Sequence, residues 1–324
     1  MSRAVDLRLD AIELSQDGRV LTAAAVAPPL NFVTTKFIRD LDRLTAAVDT
    51  DGTVGAVVLT GGLPGRFLIH ADARELAAMV ELPHPFVPAR LVTPFLWVAD
   101  AMLRLPGAAR AIERFGGGLG VGLVWFRRWK QTTLKMNRSG VVYLAAINGP
   151  ALGGGHEIAL ACDLRYVADA DHVRLGQIES LGSLIPGGGG TQRLARMLGT
   201  AKALELTLEG APVDPHEAYR LGLVHRVIAA DRLLAETQAT AARLATRNPV
   251  ALAELKRAIY FGAAKPLSRG LDQERAGFLS VGTTAAATRV TRAFFEDLDR
   301  LGDTPYLADP KPWLNGSRVD QTSH

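Results

Sequence analysis

Residues 141–163 read VVYLAAINGPALGGGHEIALACD. Val141 to Ile147 form a continuous apolar run, the signature of a strand buried on both faces. Asn148-Gly149-Pro150 ends it, Gly153-Gly154-Gly155 follow, and His156 to Cys162 take up a helical pattern. Strand, glycine turn and helix therefore follow one another. Glycines let a backbone approach a ligand without a Cβ clash, and the first N–H groups of the helix point outward unpaired. Such a cluster suits an oxyanion. Glu157 stands in that first helical turn, and Glu179 lies 22 residues on in Leu175-Gly176-Gln177-Ile178-Glu179. Two carboxylates at one site can divide acid and base roles. Taken singly, a glycine turn is also a packing device, and a first-turn glutamate also complements the helix dipole.

The same strand–helix logic extends upstream. Val5, Leu7 and Leu9 alternate, and Gln16-Asp17-Gly18-Arg19 separates two strand-like runs, so residues 5 to 26 are predicted to form a β-hairpin. Phe37, Ile38, Leu41, Leu44 and Val48 recur at helical spacing behind a Thr34 or Thr35 cap. A second buried strand is predicted from Val54 to Leu59, ending at Gly61-Gly62. Downstream of Pro186-Gly187-Gly188-Gly189-Gly190 the chain becomes helical. From Asp231 to about Arg300 four helical segments break at Asn248-Pro249, Lys265-Pro266 and Gly282-Thr283. The expected organisation is an α/β core over residues 1–230 and a helical region over 231–324, with a soft boundary.

Composition bounds the function. The chain has 324 residues, of which 48% are hydrophobic and 22% charged, which excludes disordered and fibrous classes. Lys and Arg number 37 against 33 Asp and Glu, without long basic runs, so nucleic acid is not an expected partner. The longest uncharged stretch, Phe115 to Phe126, is well short of the ~20 residues that span a bilayer. Cys162 is the single cysteine and the start of the chain has no apolar signal region, so a cytoplasmic setting is expected.

Ala145 to Asp163, Gly176-Gln177-Ile178-Glu179, Ile185 to Leu194 and Ala218-Tyr219-Arg220-Leu221-Gly222-Leu223-Val224, taken together, resemble the enoyl-CoA hydratase/isomerase (crotonase) family. The resemblance covers roughly residues 10 to 80 and 139 to 300. It implies a crotonase-like ββα spiral core, a C-terminal helical trimerisation region, and a homotrimer or dimer of trimers. It also implies an acyl-CoA thioester substrate, with coenzyme A as part of that substrate and no metal or other cofactor. By the same resemblance Ala71 and Gly154 supply the backbone N–H groups of an oxyanion hole. Glu157 activates a water, and Glu179 delivers a proton to the α-carbon. Substrate contacts are implied at His70, Asp72, Ala73, Arg74, Gly153 and Pro186. Retention of both glutamates favours hydration of a 2-enoyl-CoA. Double-bond isomerisation, acyl-CoA hydrolysis and non-catalytic acyl-CoA binding are the alternatives.

Three features depart from the family pattern. Leu68-Ile69-His70 fills places where a small residue and glycine are usual before Ala71, leaving His70 either a site group or a structural one. The interval from Cys162 to Glu179 is about two residues longer than the family's, which would displace Glu179, and Ile178 stands where proline is common. Residues 83–138 read as an insertion holding three of the four Trp. Phe86, Phe95, Leu96, Trp97, Met102, Leu103 and Leu105 could form a lid over an acyl chain. Trp125, Phe126 and Trp129, beside Arg127, Arg128 and Lys130, could meet a membrane surface or a partner. Packing as a helical hairpin at a subunit interface is the third reading. Arg74 could meet the coenzyme A phosphates or be a solvated surface residue. His156 and Cys162 are expected to pack rather than react.

Overall fold

The computed structural model describes residues 3–80 and 87–323; Phe86 lies outside them. Strands β1 (Ile12–Asp17) and β2 (Val20–Ala25) form an antiparallel hairpin closed at Gly18, with Ile12 opposite Ala25. The predicted hairpin began at Val5, but Ala4–Asp6 make a 3₁₀ turn instead. Side chains from elsewhere claim that segment's backbone donors. The Asp51 carboxylate accepts from Ala4 N–H at 2.7 Å, and Asp40 accepts from Asp10 and Ala11 N–H at 2.6 and 2.8 Å. Alternating side chains alone do not make a strand when the backbone has no neighbouring strand to pair with.

Helix α1 (Thr35–Val48) begins as its sequence dictates: the Thr34 hydroxyl accepts from Phe37 N–H, and the apolar stripe of Phe37, Ile38, Leu41, Leu44 and Val48 is buried. Strand β3 (Ala56–Gly61) follows, then α2 (Ala73–Val80), α3 (Ala89–Met102), α4 (Ala108–Phe115) and α5 (Gly117–Met136). Strand β4 (Val142–Ile147) is buried along its whole length. From there the chain alternates between two sheets. It runs from β4 to β5 (Ala151–Leu152) and α6 (Gly154–Ala161), then from β6 (Leu164–Asp169) to β7 (Leu175–Gly176). Helices α7 (Gly190–Leu198), α8 (Thr200–Glu209) and α9 (Pro215–Arg220) lead to β8 (Arg226–Ala229). The large sheet has the order β1-β2-β3-β4-β6-β8, parallel from β2 onward, and β5 pairs with β7 in a small second sheet. This is the ββα spiral expected from the sequence, an α/β core followed by helices.

The four predicted C-terminal segments are α10 (Leu233–Leu244), α11 (Pro249–Arg257), α12 (Leu267–Gly282) and α13 (Ala285–Leu301), followed by short α14 (Pro305–Ala308) and α15 (Lys311–Leu314). They do not stand apart from the sheet. Helix α10 packs against β2, β3 and β4, and Lys256 of α11 reaches back into the core. Its ammonium donates to the carbonyl of Val141 at 2.9 Å and to Asp163 Oδ2 at 2.8 Å, while Tyr260 donates to Asp163 Oδ1.

The 83–138 segment divides in two. Helix α3 leaves Leu91, Phe95, Leu96, Trp97 and Met102 exposed, whereas Leu103, just past its end, is buried. Helix α5 instead lies on α1 and α2 and buries Val124, Trp125, Trp129, Thr132, Thr133 and Met136. The reading of Trp125 and Trp129 as surface residues for a membrane or partner is therefore corrected: both are core. The cations beside them are taken up within the chain, Arg127 and Lys130 by Asp100 at 3.4 and 3.5 Å, and Arg128 by Glu113 at 3.1 Å. Among the described residues no helix is long and apolar enough to cross a membrane.

Removing one member of a buried ion pair strands the other charge, at roughly 3–5 kcal/mol. Lys256→Met is expected to lower the free energy of unfolding by that amount in a urea titration, and the double variant Lys256→Met/Asp163→Asn to recover part of it.

Candidate active site

The site forms where the β4–β5–α6 segment crosses the chain just before α2. Leu152 N–H donates to the carbonyl of Ile69 at 2.6 Å, and Gly153 N–H donates to the carbonyl of Gly176 at 2.7 Å. Gly153 has φ +45°, a left-handed conformation that favours glycine, and a Cβ on Gly155 would collide with the Leu68 carbonyl. The close approach places Gly154 against Ala71: a methyl on Gly154 would lie 3.2 Å from Ala71 N. Gly154 opens α6, so its N–H lacks an intrahelical acceptor. Ala71 N–H has no acceptor among the described residues, while its neighbours are engaged, His70 O accepting from Val33 N–H and Asp72 N–H donating to Val33 O. Two backbone donors from distant segments thus stand side by side.

Both glutamates reach this place. Glu157 is 2% exposed, and its Oε1 accepts from Gly188 N–H at 2.8 Å and Gly190 N–H at 2.7 Å. Glu179 begins a 3₁₀ turn over Glu179–Gly182, and its Oε1 lies 2.9 Å from where a Gly153 methyl would be. The longer interval after Cys162 has therefore not carried Glu179 away from the Gly153 turn. Burial pushes the Glu179 carboxyl up to about 7, with the Glu157 charge adding to the rise. Burial also raises Glu157, opposed by the N–H groups of Gly190 and Gly188 and by Arg193. Two carboxylates in one dry pocket resist being ionised together. The one holding two backbone N–H bonds beside an arginine is the better home for the charge.

The remaining sequence candidates separate. His70 Nδ1–H donates to the carbonyl of Ala71 at 2.8 Å and its ring leans on Phe32 at 5.0 Å, so it braces the segment that presents Ala71 N–H. Asp72 accepts from Arg74 N–H at 2.8 Å and so caps the start of α2, where Ala73 and Arg74 are exposed. Pro186 is buried at the head of the glycine loop, and neighbouring Gly187 faces Phe126. His156 accepts from Gln177 at 3.1 Å and burial lowers it to about 3, so it is a neutral packing residue. Burial raises the Cys162 thiol to about 12, which leaves it unreactive.

Four contributing residues escaped the sequence reading. Gly188 and Gly190 lend N–H groups to Glu157, Arg193 lends charge, and Trp129 of α5 forms a wall, its Cη2 2.8 Å from the position of a Gly154 methyl. The glycine run and Arg193 were visible as a motif; nothing in the local pattern of Trp129 announced that it faces inward.

Comparison with known proteins places this arrangement. A family model described as "Enoyl-CoA hydratase/isomerase" matches residues 126–301, which is 176 of 324 residues. This chain belongs to the enoyl-CoA hydratase/isomerase family. It is 32% identical over 268 residues to a protein of Mycobacterium leprae named "Probable enoyl-CoA hydratase", covering 82% of this chain and 87% of that one. It is 28% identical over 291 residues to a short-chain-enoyl-CoA hydratase of Clostridium acetobutylicum, covering 90% and 96%. The crystal structure of an enoyl-CoA hydratase from Bacillus anthracis superposes with a TM-score of 0.70 at 25% identity, covering 89% of this chain and 97% of that one. The family match begins at Phe126, so the C-terminal half of α5, with Trp129, falls within it and α3 and α4 fall before it.

The raised carboxyl of Glu179 has a thermodynamic sign. The folded state binds its proton more tightly than the unfolded chain, whose value is near 4.5, so stability is lost as pH rises from about 4.5 to about 7. A neutral amide escapes that loss. Glu179→Gln is expected to melt higher than the wild type at pH 8, with the gap widening between pH 4.5 and 7 and constant above; a gap independent of pH contradicts the assignment.

Proposed function

We propose that this protein hydrates 2-enoyl-CoA thioesters to 3-hydroxyacyl-CoA thioesters. The observation that carries this reading is the meeting of Glu157 and Glu179, their charges pushed apart by environment, beside the Ala71 and Gly154 backbone donors. The thioester oxygen accepts from these two N–H groups. As water attacks the β-carbon, the π electrons move onto that oxygen as an enolate, and preorganised donors in a dry site stabilise the developing charge. Ionised Glu157 accepts the proton of the attacking water. Glu179, protonated up to about pH 7, supplies the proton that the α-carbon takes up. Each step uses a carboxyl group or a backbone N–H, so the reaction draws on no metal or redox cofactor, and coenzyme A enters as part of the substrate. Among the described residues no group of three or more His, Cys, Asp or Glu is placed to hold a metal ion.

The acyl-CoA is the small-molecule partner in this reading, with Gly153, Pro186 and the His70–Arg74 segment bordering its path. Helices α12 and α13 expose Leu267, Leu271, Phe278, Leu279 and Phe295. Such a face supports a homotrimer or dimer of trimers in which copies cover it. A cytoplasmic location accords with the single, unpaired cysteine.

Mass spectrometry after incubation with straight, branched and cyclic 2-enoyl-CoA esters tests the reaction. A gain of one water is expected. Mass-neutral migration of the double bond, release of free coenzyme A, or tight binding without turnover would each replace hydration by the corresponding alternative. Glu157→Gln and Glu179→Gln should each reduce kcat by about 10²–10⁴. Because the proton on Glu179 is needed, kcat/KM for hydration should fall as pH rises through about 7, approaching tenfold per pH unit above it.

A further inference from the structure

Trp129 is 2% exposed, and its Nε1–H has no acceptor among the described residues. A buried indole N–H ordinarily finds a partner, and leaving one unmade is costly. Its surroundings show what it faces. A methyl on Gly188 would lie 2.6 Å from Trp129 Nε1 and 2.7 Å from Glu157 Oε2. Two such distances from one point hold the donor and the carboxylate oxygen no more than 5.3 Å apart. Glu157 Oε1 is the oxygen that accepts from Gly188 and Gly190, which leaves Oε2 toward the indole. The other end of the same ring stands against Gly154, beside Ala71 N. The indole therefore runs from the paired backbone donors toward the carboxylate.

We propose that the Trp129 Nε1–H donates a hydrogen bond to the water that Glu157 Oε2 activates, and so fixes the direction of its attack. The inference rests on the hydratase reading. A separation of no more than 5.3 Å is within the reach of one bridging oxygen with a bond of about 2.8 Å to each side. The water then gives one hydrogen to Glu157 Oε2 and accepts from Trp129 with one lone pair, which leaves its second lone pair for the β-carbon. On attack the oxygen–carbon bond forms, the π pair moves to the thioester as the enolate, and the shared proton passes to Glu157. The α-carbon then takes the proton of Glu179, and exchange with solvent returns the two carboxyls to their starting states. In the reverse direction the same N–H stabilises the departing hydroxide. A phenylalanine at position 129 would fill the wall but leave the water free to turn.

The test compares two reactions of one protein. Hydration of crotonyl-CoA needs the positioned water. Exchange of the α-hydrogens of butyryl-CoA in D₂O needs the backbone donors and a carboxylate, and no attacking water. Trp129→Phe is expected to lower kcat for hydration about tenfold, with KM and the exchange rate close to wild type. Loss of both reactions together would make Trp129 a packing residue, and loss of neither would make its N–H idle; either result overturns the inference. Benzothienylalanine at position 129, which keeps the ring shape and puts sulfur in place of the N–H, should reproduce the hydration loss. Wild-type hydration by that variant overturns the inference even if Trp129→Phe folds poorly. A wild-type protein that exchanges α-hydrogens but hydrates no enoyl-CoA overturns the hydratase reading and this inference with it, whereas unchanged hydration in the variants overturns the inference alone.

Discussion

The backbone crossing at Leu152 and Ile69 is the constraint from which the site follows. A hydrogen bond of 2.6 Å between two loop segments brings Gly153, Gly154 and Gly155 against His70, Ala71 and Leu68, and at Gly155 the Leu68 carbonyl comes closer than any side chain would allow. That contact requires two sheets. Strand β4 ends in the large sheet, and β5 must leave it at once to pair with β7, so that α6 starts with its free N–H groups turned toward the incoming Ala71. The ββα spiral is thus the architecture that brings two backbone donors from separate segments together, where the proposed thioester oxygen would accept from both. Backbone donors do not rotate or titrate, which makes them dependable partners for a charge that exists only briefly.

The second constraint is electrostatic. A dry site that stabilises an enolate also penalises every fixed negative charge inside it. Glu157 is compensated by Gly188, Gly190 and Arg193, whereas Glu179 Oε2 has no partner among the described residues and the carboxyl feels the Glu157 charge. In the proposed hydration this asymmetry is what would let one of two identical side chains serve as base and the other as acid. It also explains the glycine run before α7: a side chain at position 188 would have to occupy the space of Glu157 Oε2 and the Trp129 ring. The loop that charges Glu157 is the loop that must carry no side chain there.

Much of this was legible in the sequence, because it depended on local backbone chemistry. The strand β4, the glycine turn and Glu157 follow from the order of residues in one short stretch, and Thr34 marks the start of α1 at the residue where its hydroxyl caps the helix. The breaks between α10 and α13 sit where Asn-Pro, Lys-Pro and Gly-Thr interrupt a helical pattern. The failures have physical reasons as well. Val5 to Leu9 alternate like a strand, but Asp40 and Asp51 take the backbone donors around them, a long-range decision that alternation does not encode. One of the three readings of the 83–138 segment put Trp125 and Trp129 at a surface because three cations lie among them; the acidic partners Asp100 and Glu113 belong to other helices.

That misreading bears on how the 83–138 segment relates to catalysis. A lid is usually pictured as lying over a substrate from outside, and α3, with its exposed Leu91, Phe95, Trp97 and Met102, invites that picture. The structure shows a second connection, through the protein. Asp100 of α3 pairs with Arg127 and Lys130, and Glu113 of α4 pairs with Arg128, all within one turn of Trp129 on α5. The exposed helices are therefore tied by charge to the helix whose inner face lies beside Glu157. Such half-exposed pairs are individually weak, but three of them clustered on one helical turn hold the outward side of α5 while the core holds its inward side.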